Sequence, residues 1–169
     1  MSNSDYKNAE VRPRALLSDY IWIKENSLTR YFCNKVIKKF EADANKYEGR
    51  VGSDRRIDKN LKRTRDLSIS RDPKWKKEDA VFCKALKQGI HEYNTHIESI
   101  HPNNIPYTYK QVKDTGYKVQ RYEPNGFYDW HNDWMLDQVE GSRIYVFMWY
   151  LNSIRERDGG YTEFTDGTR

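Results

Sequence analysis

Three stretches in the last third of the chain decide the reading: Gly116-Tyr-Lys-Val-Gln-Arg-Tyr122, Arg143-Ile-Tyr-Val-Phe-Met-Trp-Tyr-Leu151 and Gly160-Tyr-Thr-Glu-Phe-Thr165. Each is rich in β-branched and aromatic residues and bounded by turn signals, so each reads as a strand. Upstream the periodicity is helical. Leu28, Phe32, Val36, Ile37, Phe40 and Ala44 recur at spacings of three and four, with Lys35, Lys38, Lys39 and Asp43 turned away and Ser27 or Thr29 available as a cap. A second stripe, Val81, Phe82, Ala85, Leu86, Ile90, Tyr93 and Ile97, predicts a helix from about residue 77 to 97. Helices first and strands afterwards predict an α+β chain with a mainly antiparallel sheet or barrel.

The remaining segments read more weakly. Residues 1–15 are expected to be a mobile tail, and Asp19-Tyr-Ile-Trp-Ile-Lys24 alternates as a short strand would. Glu48 to Pro73 carries Gly49, Gly52 and scattered charges, which predicts a surface loop with one candidate strand at Leu67-Ser-Ile-Ser70. His91 and His96 are five apart, the wrong spacing for one metal on one helix face, and read as surface or packing residues.

The 169 residues suit a single domain, 16–169, with helical support over 16–101 and strands over 107–169. A charged fraction of 33% is high, but 13 Tyr, 6 Phe and 5 Trp argue against disorder. The longest uncharged apolar run, Ile144 to Leu151, is far short of the ~20 residues that cross a bilayer. The first residues lack the apolar core of a signal peptide, so no membrane partner is expected. Cys33 and Cys83 lie in helical patterns without CxxC spacing, which predicts reduced thiols in a cytoplasmic protein. Of the net charge of +5, a local surplus of seven falls in Arg50 to Lys77, where eleven basic residues face four acidic ones. A solvated loop is the commoner meaning of such a run, and a nucleic-acid contact the alternative.

Chemistry concentrates in Tyr122-Glu-Pro-Asn-Gly-Phe-Tyr-Asp-Trp-His131-Asn-Asp133-Trp134. Side chains two apart on an extended backbone project to one side, so His131 and Asp133 can offer an imidazole nitrogen and a carboxylate oxygen to one metal ion. Asp129 falls on that side too. A further, distant histidine would complete the two-His, one-carboxylate facial triad of non-haem Fe(II), which keeps three positions open for an organic co-substrate and dioxygen.

Tyr122 with Gly126, Tyr128, His131 with Asp133, Arg143, Tyr150-Leu-Asn152, and Gly159-Gly160 with Thr162 and Phe164 follow one another in an order that resembles the prolyl 4-hydroxylase-like Fe(II)/2-oxoglutarate dioxygenases. Upstream, the aromatic strand, the helix containing Phe-Cys and Gly49-Arg-Val-Gly52 resemble the lead-in of bacterial and phage members. The resemblance implies N-terminal helices packed on a double-stranded β-helix, a jelly-roll or cupin-like barrel. It implies His131 and Asp133 as iron ligands and catalytic residues, Tyr122 near the chelating end of 2-oxoglutarate, and Tyr150 on its distal carboxylate. By the same resemblance, Asp129 would be outer to the ligands or solvated. Tyr128, Trp130, Trp134 and Arg143 would border the substrate entrance. The implied cofactors are Fe(II), 2-oxoglutarate and O2, with ascorbate as an accessory. The implied reaction hydroxylates an unactivated carbon of a peptide or small molecule, peptidyl proline or similar, while 2-oxoglutarate is decarboxylated to succinate and CO2.

The family pattern continues to a distal His ligand and a Lys or Arg that pairs with the distal carboxylate. Here 36 residues follow Asp133, and His91, His96 and His101 all precede His131. A jelly roll needs about eight strands, and four or five are legible. The expectation is therefore an incomplete barrel, the N-terminal portion of a dioxygenase that is inactive as written. The competing expectations are an inactive jelly-roll binding homologue and a nucleic-acid-binding protein acting through residues 50–77.

Overall fold

The structure, a computed structural model, describes residues 16–102, 110–134, 136–137 and 141–169. The segment 1–15, expected as a tail, lies outside the described residues.

Among the described residues there are two α-helices, α1 (Arg30–Ala42) and α2 (Lys76–Ile100), and a three-stranded antiparallel sheet. Its strands are β1 (Tyr47–Glu48), β2 (Arg65–Ser68) and β3 (Lys118–Arg121), in the order β1-β2-β3. A separate short ladder joins β4 (Leu136–Asp137) to β5 (Gly141–Ser142). The α+β class holds, and the sheet seen here is a small antiparallel one.

Local chemistry sets the helices. Thr29 caps α1, its Oγ1 accepting from Phe32 N–H at 3.2 Å, and the apolar stripe buries Cys33, Val36 and Phe40. Asp72 and Pro73 start a 3-10 turn, Pro73–Trp75, that runs directly into α2. Glu78 and Asp79 sit in the first turn of α2, where the exposed N–H groups favour negative charge. Trp75 is fully buried, with Val36, Phe40, Leu67, Ile69, Phe82 and Val119 around it. Its indole N–H donates to Asp43 Oδ2 at 3.0 Å. Asp43 and Lys39 were expected to point away from the core, but Asp43 holds Trp75, and Lys39 lies over the same ring and meets the buried Glu78 at 2.5 Å. Val81 was expected in the apolar stripe of α2 and is exposed at its margin.

The strand expected at 19–24 is absent: residues 19 and 20 end a 3-10 turn, Leu17–Tyr20, in which Asp19 Oδ2 accepts from Leu16 N–H at 3.0 Å, and residues 21–24 form no strand. That turn is fixed to α2 by Tyr20 stacking on His101 and by His96 at 3.2 Å from the Asp19 carbonyl. His96 is a packing residue, as its spacing from His91 suggested, and His101 packs beside it on Tyr20.

The surface loop expected over 48–73 is the main correction. It contains β2, the middle strand of the sheet, which overlaps the one strand expected there at 67–70, and it buries Lys62, Thr64, Asp66, Leu67 and Ile69. Strands were also expected at 143–151 and 160–165. Neither segment has ladder partners among the described residues, and strand structure requires them. The alternation in 143–151 survives as burial: Tyr145, Phe147, Trp149 and Leu151 are partly covered, and Ile144, Val146, Met148 and Tyr150 are exposed. The covered set rests on α2, with Trp149 5.2 Å from Phe82 and Tyr145 5.7 Å from Tyr93 between ring centres.

No helix among the described residues is long and apolar enough to cross a membrane. Cys33 is buried and Cys83 partly so, neither in a disulfide, and burial raises the Cys33 thiol above its ordinary value.

Candidate metal and co-substrate site

The sheet is two-faced. In the β2–β3 register Leu67 faces Val119 and both enter the helical core, while Asp66 faces Gln120 on the opposite side. That opposite face carries the candidate site.

Backbone bonds extend the ladder past β2. Arg63 N–H donates to the Phe127 carbonyl at 2.7 Å and Asp129 N–H to the Leu61 carbonyl at 2.8 Å, so Lys62 and Tyr128 stand opposite each other. The turn before them requires Gly126. Its N–H donates to the Glu123 carbonyl at 2.7 Å, and a Cβ there would lie 2.8 Å from that oxygen and 2.9 Å from the Arg63 carbonyl.

Anchored in this way, the chain brings His131 and Asp133 together, with Nε2 3.7 Å from Asp133 Oδ1. His131 Nδ1 lies 2.7 Å from the Asp129 carbonyl. A carbonyl only accepts, so Nδ1 carries the proton, and an Nε2 without a proton would present its lone pair toward the carboxylate. With bonds of about 2.1 Å, one metal ion can touch both atoms. The residues therefore fit a divalent metal as a two-donor set. Among the described residues no group of three His, Cys, Asp or Glu side chains converges.

Asp129 contributes its backbone rather than its carboxylate. Its carbonyl fixes His131, its N–H fixes Leu61, and its Oδ1 accepts from Trp130 N–H at 2.8 Å. Residues 129–134 form no strand.

The tyrosines gather around this pair. Tyr128 stacks on His131, ring centres 3.6 Å apart and planes 16° apart. The Tyr122 phenol is pushed up to about 12, first by burial and then by the charges or partial charges of Asp66, Tyr150, Tyr128 and Asp133. Tyr128 is raised by burial, then by Asp133 and Asp66, against an opposing effect of Arg143. Tyr122, Tyr128, Tyr150, Asp133 and Arg143 thus share one neighbourhood. Tyr150 is 57% exposed, and its hydroxyl is 2.5 Å from Thr162 Oγ1. Trp130 and Trp134 are exposed beside the His131–Asp133 loop.

Beneath the tyrosines lies a buried polar cluster that sequence reasoning missed. Asp66 receives Thr64 Oγ1 at 2.7 Å, Lys62 Nζ and Lys118 Nζ at 3.2 Å each, and Gln120 Nε2 on both oxygens. Burial raises the Asp66 carboxyl, the largest single effect, but Lys118, Thr64, Lys62 and Gln120 outweigh it and hold the group below the usual carboxylate range. The available signal was the alternation Lys62-x-Thr64-x-Asp66, which puts three polar residues on one strand face. Of the remaining basic residues in 50–77, Arg56 pairs with Asp54 at 3.4 Å, and Arg65 and Lys59 meet Glu48 at 3.3 and 3.9 Å.

Residues 117–169, which span β3, the Gly126 turn and both donors, match the 2OG-Fe(II) oxygenase superfamily. The match supports that superfamily, and with it dioxygenase chemistry using Fe(II), 2-oxoglutarate and O2. No curated protein and no solved structure matches the chain.

Proposed function

We propose that this chain carries the metal- and co-substrate-binding portion of a prolyl 4-hydroxylase-like dioxygenase of the bacterial and phage type. The substrate class is a peptide or small molecule hydroxylated at an unactivated carbon, peptidyl proline being the first candidate. The observation that supports this most is His131 Nε2 facing Asp133 Oδ1 at 3.7 Å with Nδ1 held by the Asp129 carbonyl, inside the segment that matches the superfamily.

His131 and Asp133 would hold Fe(II). When bound, the iron with 2-oxoglutarate and O2 supplies the oxidising power that side chains lack. The protein's own part is orientation. The Asp129 carbonyl keeps the proton on Nδ1, so Nε2 remains a donor without losing a proton. Tyr122 and Tyr150 offer neutral hydroxyls to carboxylate oxygens, and Tyr122, pushed up to about 12, stays protonated through the physiological range. Trp130, Trp134 and Arg143 flank the opening, where an apolar wall and one cation would receive the substrate. Ascorbate is proposed as an accessory reductant.

Anaerobic titration with Fe(II) and 2-oxoglutarate tests this reading. The expected result is a visible charge-transfer band and metal-dependent 2-oxoglutarate binding, both lost in His131→Ala. Binding of 2-oxoglutarate that is equal with and without metal, and unchanged in His131→Ala, would overturn it.

A further inference from the structure

We propose that Lys62 is a positioning residue: clamped by Asp66 and lying over the Tyr128 ring, it holds that ring in its stack with His131 and so sets the tautomer and orientation of the imidazole. This rests on the reading of His131 as a metal ligand.

The inference begins with a cation that charge balance does not need. Lys62 is 2% exposed, and removing an ammonium from water is costly unless its partners compensate fully. Asp66 already has Lys118 Nζ, Thr64 Oγ1 and Gln120 Nε2 around it, so its carboxylate would remain satisfied without Lys62. What Lys62 adds is its other contact, with Nζ 4.6 Å from the centre of the Tyr128 ring. A desolvated cation over an aromatic face is attracted by the ring's electron density.

The backbone gives that contact direction. Lys62 and Tyr128 are opposed across the ladder, with the Arg63–Phe127 and Asp129–Leu61 bonds on either side, so neither residue can slide past the other. Gly49 leaves the room required, since a Cβ there would sit 2.1 Å from Thr64 Oγ1 and 3.0 Å from Lys62 Cε. The same Tyr128 ring stacks on the His131 imidazole, within 16° of parallel. Asp66, Lys62, Tyr128 and His131 thus form an unbroken row from the sheet to the donor atom. Stacking fixes the plane of the imidazole, and in that plane Nδ1 meets the Asp129 carbonyl. Groups behind a metal-binding histidine commonly set its tautomer and basicity in this way.

Histidine 15N NMR of the full chain, without metal and at a pH where imidazole is neutral, reads the tautomer directly, with His131→Ala assigning the signal. Wild type is expected to show His131 as one Nδ1–H tautomer. Lys62→Met, which keeps the volume and removes the charge, is expected to give a mixture, and Lys62→Arg to restore the single form. With Co(II) alone as the probe, Lys62→Met is expected to weaken binding by about tenfold. A single Nδ1–H tautomer in folded Lys62→Met, with wild-type Co(II) affinity, would overturn the proposal. Should Lys62→Met not fold, Tyr128→Leu removes the ring and leaves the buried pair intact. Mixed tautomers in that variant support the row, and an unchanged single tautomer overturns it. If wild type binds no Co(II) while the tautomer still depends on Lys62, the metal reading fails and the positioning role stands.

Discussion

Residues 61–69 and residues 143–151 both lie against the helical layer, yet they are held in different ways. The first segment has its backbone paired on both sides, by β1 and by β3 with its extension, and it buries residues on both faces. Leu67 and Ile69 enter the apolar core, and Lys62, Thr64 and Asp66 form the polar cluster beneath the site. The second segment lays Tyr145, Phe147, Trp149 and Leu151 on α2 and leaves Ile144, Val146 and Met148 about half exposed. Alternation alone is enough to aim side chains at a helix. Ladder pairing is what makes a segment a rigid platform, and the donors His131 and Asp133 are tied to the paired segment.

This contrast can be broken or sharpened by experiment. The largest effect is expected on the paired side, at its core. Trp75→Ala should cost about 3–5 kcal/mol in urea unfolding, because it opens a cavity among Val36, Phe40, Leu67, Ile69 and Phe82 and leaves Asp43 without its indole donor. A loss below about 1 kcal/mol would mean that α1, α2 and the sheet do not share one core.

An intermediate effect is expected from acid. Glu78, like Asp66, is raised by burial as the largest single effect and then brought below the usual range, here by Lys39 and Lys35. Because both folded values lie below the unfolded ones, the stability they contribute is complete above the ordinary carboxylate range and disappears as pH falls through the folded values. Stability should therefore decline below about pH 4. Asp66→Asn should flatten that decline, and an identical acid profile for the variant would show that Asp66 is not held in its charged form.

The smallest effect is expected on the open side of 143–151. Val146→Ser should change stability by no more than about 0.5 kcal/mol, since the side chain is 55% exposed. A cost several times larger would show that this outer face is covered in solution, and would erase the difference between the two segments.

Much of this was legible in the sequence for a physical reason. Helical stripes are local patterns, so α1 and the body of α2 follow from spacing alone, with the α1 cap left between Ser27 and Thr29 until the structure chose Thr29. The Gly126 turn and the His131–Asp133 pair are also local, separated by few bonds, and their order with Tyr150 and Gly159-Gly160 carried the resemblance that the superfamily match supports in its broad form. Asp19 shows the limit of local reading, because alternation over 19–24 suggested a strand while one carboxylate bond to Leu16 N–H closed a turn.

Tertiary structure decided what lies between distant segments. Glycines and charges over 48–73 resemble a solvated loop, because nothing in that composition shows that Lys62, Thr64 and Asp66 will find Lys118 and Gln120 more than fifty residues away. A charge reads as exposed until its partner is known, and pairing is a property of the fold. The sequence by itself determined which side chains could donate to a metal. The fold decided that a buried lysine, a tyrosine and a backbone carbonyl would line up beside His131.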